Sequence, residues 1–216
     1  MRETPAALLM DFDGVVLDSM ELKTQAFATV YDDEPRARRD EVLAYQRLHG
    51  GVSRRAKFTY FEQALFGRAG DVEAVERLAA RYRELVYDQV LQCAFVPGAP
   101  EFLELAHERV ELHVISGTPQ EELADIVERR GLRRYFRSVV GAPTTKRDAF
   151  AAILAGRGLD AARTAAIGDA MTEYWAAEAL GIPFIGVAPA YTENPFPPGV
   201  PVLDSLSPLP DLLALR

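Results

Sequence analysis

The chain has 216 residues, of which 49% are hydrophobic and 26% are charged, proportions typical of a folded domain rather than a disordered chain. No apolar run approaches the length of a transmembrane helix, the first ten residues do not resemble a secretory signal, and the single cysteine, Cys93, excludes an internal disulfide. The net charge of −8 disfavours nucleic acid and anionic membranes as partners. We therefore expect a cytoplasmic protein, a monomer or homodimer, that binds neither of them.

The chain begins with one short apolar run and then becomes helical. Residues 6–10 end at Asp11-Phe12-Asp13-Gly14, which predicts a buried parallel strand followed by a loop. Residues 31–40 are predicted to be a charged turn. Apolar spacings of three and four residues predict helices over 41–48, 53–66 and 71–91. The stretch contains no strand-like run, so we expect an all-helical insert of about 75 residues, smaller than most independent domains.

After a Pro/Gly hinge at residues 96–100 the pattern alternates between strands and helices. Strands are predicted over 112–115, 138–141, 164–167 and 184–187, and helices over 100–108, 119–130, 146–156 and 172–180. Thr118, Pro119 and Glu121 have the spacing of a capping box for the second of these helices. The last twenty residues are predicted to be loop, with one short strand near Val202. This alternation predicts an α/β fold with an open parallel sheet.

Polar side chains follow three of the predicted strands. Asp11 and Asp13 follow the first, Ser116-Gly117-Thr118 the second and Asp169 the fourth. In open α/β sheets, sites form beyond the carboxyl ends of the strands. Residues two apart in extended chain point the same way, so the two aspartates can face one site, where a divalent cation would relieve their repulsion. Taken singly, each motif has an ordinary alternative as a solvated pair, a helix cap or a turn.

Four motifs together resemble the haloacid dehalogenase-like (HAD) superfamily, in its phosphatase branch. They occur in the family's order, as DFDGVVLDS from Asp11, VISGTP around Ser116, TTKRDAF around Lys146 and AAIGDAMTE around Asp169. The resemblance implies a Rossmann-like core formed by residues 1–19 and 97–216, with an inserted helical cap of residues 20–96. It further implies a Mg²⁺-dependent phosphatase that hydrolyses a small phosphorylated metabolite.

The resemblance also assigns catalytic roles. Asp11 would attack phosphorus and form an aspartyl-phosphate, and Asp13 would act as general acid and then as general base, with a pKa near the working pH. Ser116 and the backbone amides of Gly117-Thr118 would bind the phosphate at a helix N-terminus. Lys146 would neutralise phosphoryl charge and hold Asp11 in place.

Metal binding is implied for Asp11, Asp13 and Asp169, whose carboxylates suit Mg²⁺. Glu173 stands where the family commonly has Asp. It is one methylene longer, and it could reach the metal directly, reach it through water, or orient Lys146. We expect Glu173 to contact the metal ligands and not the metal itself.

Two further cations are candidates for binding the substrate. The stretch from Gly50 to Lys57 resembles the cap loop of phosphoglycolate phosphatases and β-phosphoglucomutases, and Arg54 in it is our choice to contact an anionic or hydroxylated leaving group. Lys23 stands where relatives often carry His, and it either contacts the substrate or is exposed. Ordinary roles are expected elsewhere: solvation for Arg55 and Lys57, and packing for Tyr174 and Trp175.

Three alternative functions remain at this stage. A haloacid dehalogenase is disfavoured, because members of that branch lack the second aspartate, here Asp13, and need no metal. A sugar-phosphate mutase of the β-phosphoglucomutase type would share the core residues and differ by retaining a bisphosphate intermediate. A non-catalytic phosphate-binding protein is disfavoured because every core motif residue is intact.

Overall fold

A computed structural model describes residues 3–190 and 192–215, and its centre is a six-stranded parallel sheet. The strands are β1 (Ala7–Met10), β2 (Glu111–Pro119), β3 (Ser138–Ala142), β4 (Thr164–Gly168), β5 (Phe184–Val187) and β6 (Val202–Leu203). Their order is β3-β2-β1-β4-β5-β6, and all neighbours pair in parallel. β1 thus lies between β2 and β4, and the strand order reverses at this point, where open α/β sheets place their sites. The predicted α/β fold is confirmed.

Helices surround the sheet and also fill the long connection between β1 and β2. They are α1 (Met20–Val30), α2 (Arg36–Leu48), α3 (Arg54–Tyr60), α4 (Val72–Gln92), α5 (Ala99–Ala106), α6 (Gln120–Arg129), α7 (Lys146–Arg157), α8 (Met171–Leu180) and α9 (Leu209–Leu212). Within the described residues, no helix has both the length and the apolar character needed to cross a membrane.

The core has two apolar layers, one on each face of the sheet. Successive strand residues point to opposite faces. In β1, Leu8 and Met10 therefore pack with the layer that includes residues of α5, α6 and α9, whereas Leu9 packs with residues of α7 and α8. All three side chains are fully buried. Burial on both faces explains why β1 is a continuous apolar run rather than an alternating one.

The chain that leads from β1 into α1 and the chain that leads from α4 into α5 lie side by side. Leu17 forms one bridge with Asp13 and another with Phe95, and backbone hydrogen bonds join Asp18 to Ala94 (2.9 Å) and Val96 to Val16 (3.1 Å). Only helices and turns occur in the structure between residues 20 and 92. The two segments that connect α1–α4 to the sheet are therefore paired with each other.

Several local predictions were wrong. The turn predicted over 31–40 ends at Pro35, which is the N-cap of α2, and the helix begins at Arg36. The helix predicted over 53–66 divides into α3 and a π-helix over Phe61–Leu65. Trp175 is not a packing residue: it is 55% exposed on α8. The C-terminal segment contains α9 in addition to the short strand β6.

The capping box predicted at Thr118 is also absent. β2 continues to Pro119, and α6 begins at Gln120 with no side-chain cap. The Thr118 hydroxyl instead donates to Asp13 Oδ2 at 3.1 Å. A long-range partner has therefore replaced the local hydrogen bond that the spacing predicted.

Candidate active site

A cavity lies beyond the carboxyl ends of β1, β2 and β4, and it is covered by the helical segment. The sheet side contributes Asp11, Asp13, Ser116, Gly117, Thr118 and Asp169, and the helical side contributes Met20, Lys23, Phe27, Gln46, Gly50, Gly51, Val52, Arg54, Lys57 and Tyr82. The three motifs meet because their strands are neighbours in the sheet. The cavity volume is about 50 Å³. In this closed arrangement it accepts only a small ligand.

Asp11 is held by Lys146 through one carboxylate oxygen. Lys146 Nζ lies 2.7 Å from Asp11 Oδ1 and 2.8 Å from Glu173 Oε1, and it donates to the Ile115 carbonyl at 2.5 Å. The backbone amide of Phe12 also donates to Asp11 Oδ1, at 2.7 Å. Within the described chain, Asp11 Oδ2 accepts no hydrogen bond, so it is the oxygen available to react.

Lys146 is charged in this arrangement. Burial opposes its charge, but the carboxylates of Asp11 and Glu173 outweigh that effect and hold the pKa of Lys146 above its usual value. Lys146 begins α7, whose N-cap Thr145 accepts from the amide of Asp148 at 3.1 Å. This N-cap fixes the start of α7 and therefore the position from which the Lys146 side chain extends.

Asp13 faces four donors rather than a metal position. Lys23 Nζ and the Ser19 hydroxyl each lie 2.6 Å from its Oδ1, and the hydroxyls of Ser116 and Thr118 donate to its Oδ2 at 3.1 Å. Burial by itself would raise the pKa of Asp13, but the Lys23 ammonium and these hydrogen bonds hold it below the usual value. Asp13 is therefore ionised here, although its role as general acid predicts a pKa near neutrality.

The acidic cluster able to hold a metal consists of Asp11, Asp169 and Glu173. One carboxylate oxygen from each lies within 4.8 Å of the other two. Glu173 Oε1 is paired with Lys146, whereas its buried Oε2 accepts no hydrogen bond from the described residues, so this oxygen is free to bind a cation. The donor set fits Mg²⁺, which prefers carboxylate oxygens and water. Glu173 thus joins this cluster, and Asp13 lies outside it.

The electrostatics of the cluster also favour a cation. Burial raises the pKa of Asp11 to about 7, against the opposing effect of Lys146. Burial and the carboxylates of Asp11 and Glu173 raise the pKa of Asp169 well above its usual value. A divalent cation would remove this mutual repulsion and keep the carboxylates ionised.

The Ser116-Gly117-Thr118 segment reaches the cavity as extended chain and not as a helix N-terminus. The amide of Thr118 donates to Ser116 Oγ at 3.1 Å, so this amide is occupied within the segment. A Cβ placed on Gly117 would lie 3.3 Å from the Gly51 carbonyl oxygen. Gly117 therefore lies where the sheet side and the helical side of the cavity approach each other.

Arg54 lines the cavity, but its guanidinium is paired with a residue of the sheet side. Its two terminal nitrogens donate to the carboxylate oxygens of Glu122 at 3.0 and 2.6 Å, and both side chains are buried. Arg83 of α4 lies 3.6 Å from the same carboxylate. The bidentate pair joins α3 to α6 across the cavity mouth.

Gly51 brings the loop before α3 into contact with α8. A Cβ on Gly51 would lie 1.7 Å from Thr172 Oγ1 and 2.9 Å from Glu173 Oε1, distances that exclude a side chain there unless the neighbours move. Ser53 then begins α3, accepting from the amide of Ala56 at 3.4 Å. The absence of a side chain at Gly51 thus permits this close approach.

Sequence reasoning missed Lys57 and Glu122. Lys57 was expected to be solvated, yet it is 2% exposed and lines the cavity. Its position three residues after Arg54, on the same helix face, was the available signal. Glu122 resembled an ordinary first-turn carboxylate of α6, and only the tertiary contact with Arg54 distinguishes it.

The chain is similar to a known family and to proteins of known name. The family model for haloacid dehalogenase-like hydrolases matches residues 8–187. A phosphoglycolate phosphatase from Rhodospirillum rubrum is 27% identical over 200 residues, covering 88% of this chain and 83% of that protein. The phosphoglycolate phosphatase of Synechococcus elongatus is 26% identical over 195 residues, covering 87% and 86%.

A solved structure shows the same fold. CbbY from Rhodobacter sphaeroides in complex with phosphate has a TM-score of 0.74 at 19% identity, covering 95% of this chain and 96% of that chain. The expected sheet, the ordered motifs and the family match over most of the chain lead to the same conclusion: the chain is a member of the haloacid dehalogenase-like hydrolase family.

Proposed function

We propose that the protein is a Mg²⁺-dependent phosphatase that hydrolyses a small phosphomonoester through an aspartyl-phosphate on Asp11. The observation that carries the proposal is the fixed carboxylate of Asp11: Oδ1 is held by Lys146, and Oδ2 is left for attack beside the acidic cluster. The phosphoglycolate phosphatase relatives support a small phosphorylated substrate, and so does the volume of the cavity.

The reaction begins with attack of Asp11 Oδ2 on phosphorus. The bond from phosphorus to the leaving oxygen breaks, and the departing alkoxide takes a proton from Asp13. Lys146 stabilises the negative charge spread over the transferring group. Bound by Asp11, Asp169 and Glu173, Mg²⁺ would supply further charge neutralisation for phosphoryl oxygens. Water then attacks the aspartyl-phosphate as Asp13 accepts its proton, and phosphate leaves.

Asp13 must gain a proton before it can donate one. Three of its four donors in the structure are Lys23, Ser116 and Thr118, and we propose that the same three side chains contact the phosphoryl oxygens when substrate is bound. A bound phosphate would draw these donors towards itself and reduce their stabilisation of the carboxylate. Lys23 therefore has two proposed roles, in binding the substrate and in setting the protonation of Asp13.

The helical segment, residues 20–96, is proposed to be a cap on a core formed by residues 1–19 and 97–216. The bridge between Leu17 and Phe95 supports this division, because the two connections between the helical segment and the sheet are paired with each other. A cap joined in this way can open for exchange and close to exclude water. Arg54 and Gly51 are the cap residues that would make the closing contacts.

The test is a release assay for inorganic phosphate with p-nitrophenyl phosphate and a panel of small phosphorylated metabolites. We expect hydrolysis with Mg²⁺, none after exhaustive chelation with EDTA, and none for Asp11→Asn, because a neutral amide does not attack phosphorus. Full activity in EDTA, or activity of Asp11→Asn well above a mock preparation, would reject the mechanism. Isomerised sugar phosphate without release of phosphate would indicate the mutase alternative.

A further inference from the structure

Lys57 is a buried cation of the cavity that has no carboxylate partner among the described residues. Its hydrogen bonds go to Gln46 Oε1 at 2.6 Å and to the Gly50 carbonyl at 2.9 Å. The other two cations that line the cavity are each paired with a carboxylate at 2.6 Å. Lys57 therefore differs from its neighbours in how its charge is compensated.

A buried ammonium without a counter-ion is costly, and its environment here compensates it only in part. The ring of Phe27, 5.3 Å from Lys57 Nζ, adds a cation–π contact, which is weaker than an ion pair. Burial lowers the pKa of Lys57 to about 7, and the Lys23 ammonium acts in the same direction. An anion bound beside Lys57 would stabilise the charged ammonium against both burial and the repulsion of Lys23.

The ammonium is also held in place with bonding capacity left. Lysine has three donors, and Gln46 and Gly50 account for two of them, so one remains for a ligand. Gln46 is itself 2% exposed, which fixes its amide against the Lys57 head group. Lys57 thus offers a positioned donor on the helical side of the cavity that Asp11 lines from the sheet side.

We propose that Lys57 is a specificity-determining residue that binds a carboxylate on the leaving alcohol of the substrate. The inference rests on the proposed function, because it places the phosphoryl group beside Asp11 and the remainder of the substrate towards the cap. The small cavity requires a short substrate, so the carboxylate must lie within a few bonds of the phosphate. The substrate class is therefore a phosphorylated small hydroxy acid.

The test compares two substrates that differ in the carboxylate, 2-phosphoglycolate and 2-hydroxyethyl phosphate, with the full-length Mg²⁺-loaded protein. We expect the wild type to favour 2-phosphoglycolate in kcat/KM. Lys57→Met should reduce the ratio of the two values by roughly tenfold or more, the effect of one lost charge-assisted bond. Both compounds are also measured as inhibitors of p-nitrophenyl phosphate hydrolysis, so that slow turnover of either one does not prevent the comparison.

Arg55→Met is the matched control, since Arg55 is an exposed cation of the same helix and pairs with Glu76 at the surface. It should leave the ratio unchanged. Lys57→Met removes an uncompensated buried charge but leaves Gln46 Oε1 and the Gly50 carbonyl without this donor, so its melting temperature is measured beside that of the wild type. Should it melt lower, Lys57→Gln, which keeps a polar head without the charge, gives the same comparison.

Two outcomes would overturn the role of Lys57. One is a wild type that does not distinguish the two compounds, either as substrates or as inhibitors. The other is a Lys57→Met variant that retains the wild-type ratio. Absence of any hydrolysis, including that of p-nitrophenyl phosphate, would instead reject the proposed function on which this inference rests.

Discussion

Among single residues, Asp13 is the most heavily hydrogen-bonded carboxylate of the cavity. Its two oxygens accept from Ser19, Lys23, Ser116 and Thr118. Such a set fixes the carboxylate in one position, at the edge of the space left for the substrate. A group with this placement is suited to exchanging a proton with the leaving oxygen rather than to moving towards a metal.

We predict that Asp13→Asn reduces kcat by about 10²–10⁴-fold, the usual contribution of general acid–base catalysis. The loss should be larger for alkyl phosphates than for aryl phosphates, because a poor leaving group depends more on a proton donor. The measurement is kcat across leaving groups of graded pKa. An equal loss along the series would count against Asp13 as the donor, whatever its size.

At the scale of secondary-structure elements, α3 and α6 are joined by one buried ion pair. Arg54→Ala would leave Glu122 with only Arg83, 3.6 Å away and half-exposed. Breaking a buried pair by removing one partner typically costs about 3–5 kcal/mol. We therefore predict a clear fall in the free energy of unfolding for Arg54→Ala, measured by urea denaturation, together with a higher KM.

The double variant Arg54→Ala/Glu122→Ala is the control for that prediction. It removes the stranded carboxylate, so it should recover much of the lost stability while leaving KM raised. If the double variant is as unstable as the single one, the effect comes from lost packing rather than from the unpaired charge. A wild-type KM in both variants would show that Arg54 only joins the two helices.

The same elements show what a sequence can predict. The strands were predictable because β1 and β4 are continuous apolar runs. The candidate site was predictable because Asp11 and Asp169 follow two neighbouring strands, and Ser116 lies in the second half of β2, the other neighbour of β1. The start of α6 was not predictable. Pro119 and Glu121 have the spacing of a helix cap, but the Thr118 hydroxyl donates to Asp13 instead. Lys57 was missed for a similar reason: apart from its place on the helix face of Arg54, its burial depends on contacts outside its own helix, with Phe27, Gln46 and Gly50.

For the molecule as a whole, we predict that Mg²⁺ raises the melting temperature, and more so at about pH 8 than at about pH 5. The raised pKa values of Asp11 and Asp169 mean that the folded, metal-free protein binds more protons than the unfolded chain between their usual and raised values. Stability contributed by these protons is present at low pH and is lost as the pH rises through that window. Magnesium ions compete with these protons for the carboxylates, and their binding restores the stability that is lost as the pH rises.

Thermal melts with Mg²⁺ and with EDTA at the two pH values check this prediction. Asp169→Asn is the comparison variant, since it removes one charge of the cluster and should reduce the response to the metal. A shift that is the same at both pH values would contradict the competition between metal and protons. No shift at either pH would argue against a metal at Asp11, Asp169 and Glu173.

Trp175 offers a spectroscopic view of the same site. It is the single tryptophan of the chain, it is 55% exposed on α8, and it lies two residues after Glu173, where the loop at Gly51 meets the start of that helix. The tryptophan fluorescence of the protein therefore originates from one exposed indole on the helix that carries Glu173. Its emission can be followed in stopped-flow mixing, so a change in the surroundings of α8 on ligand binding can be timed without attaching a dye.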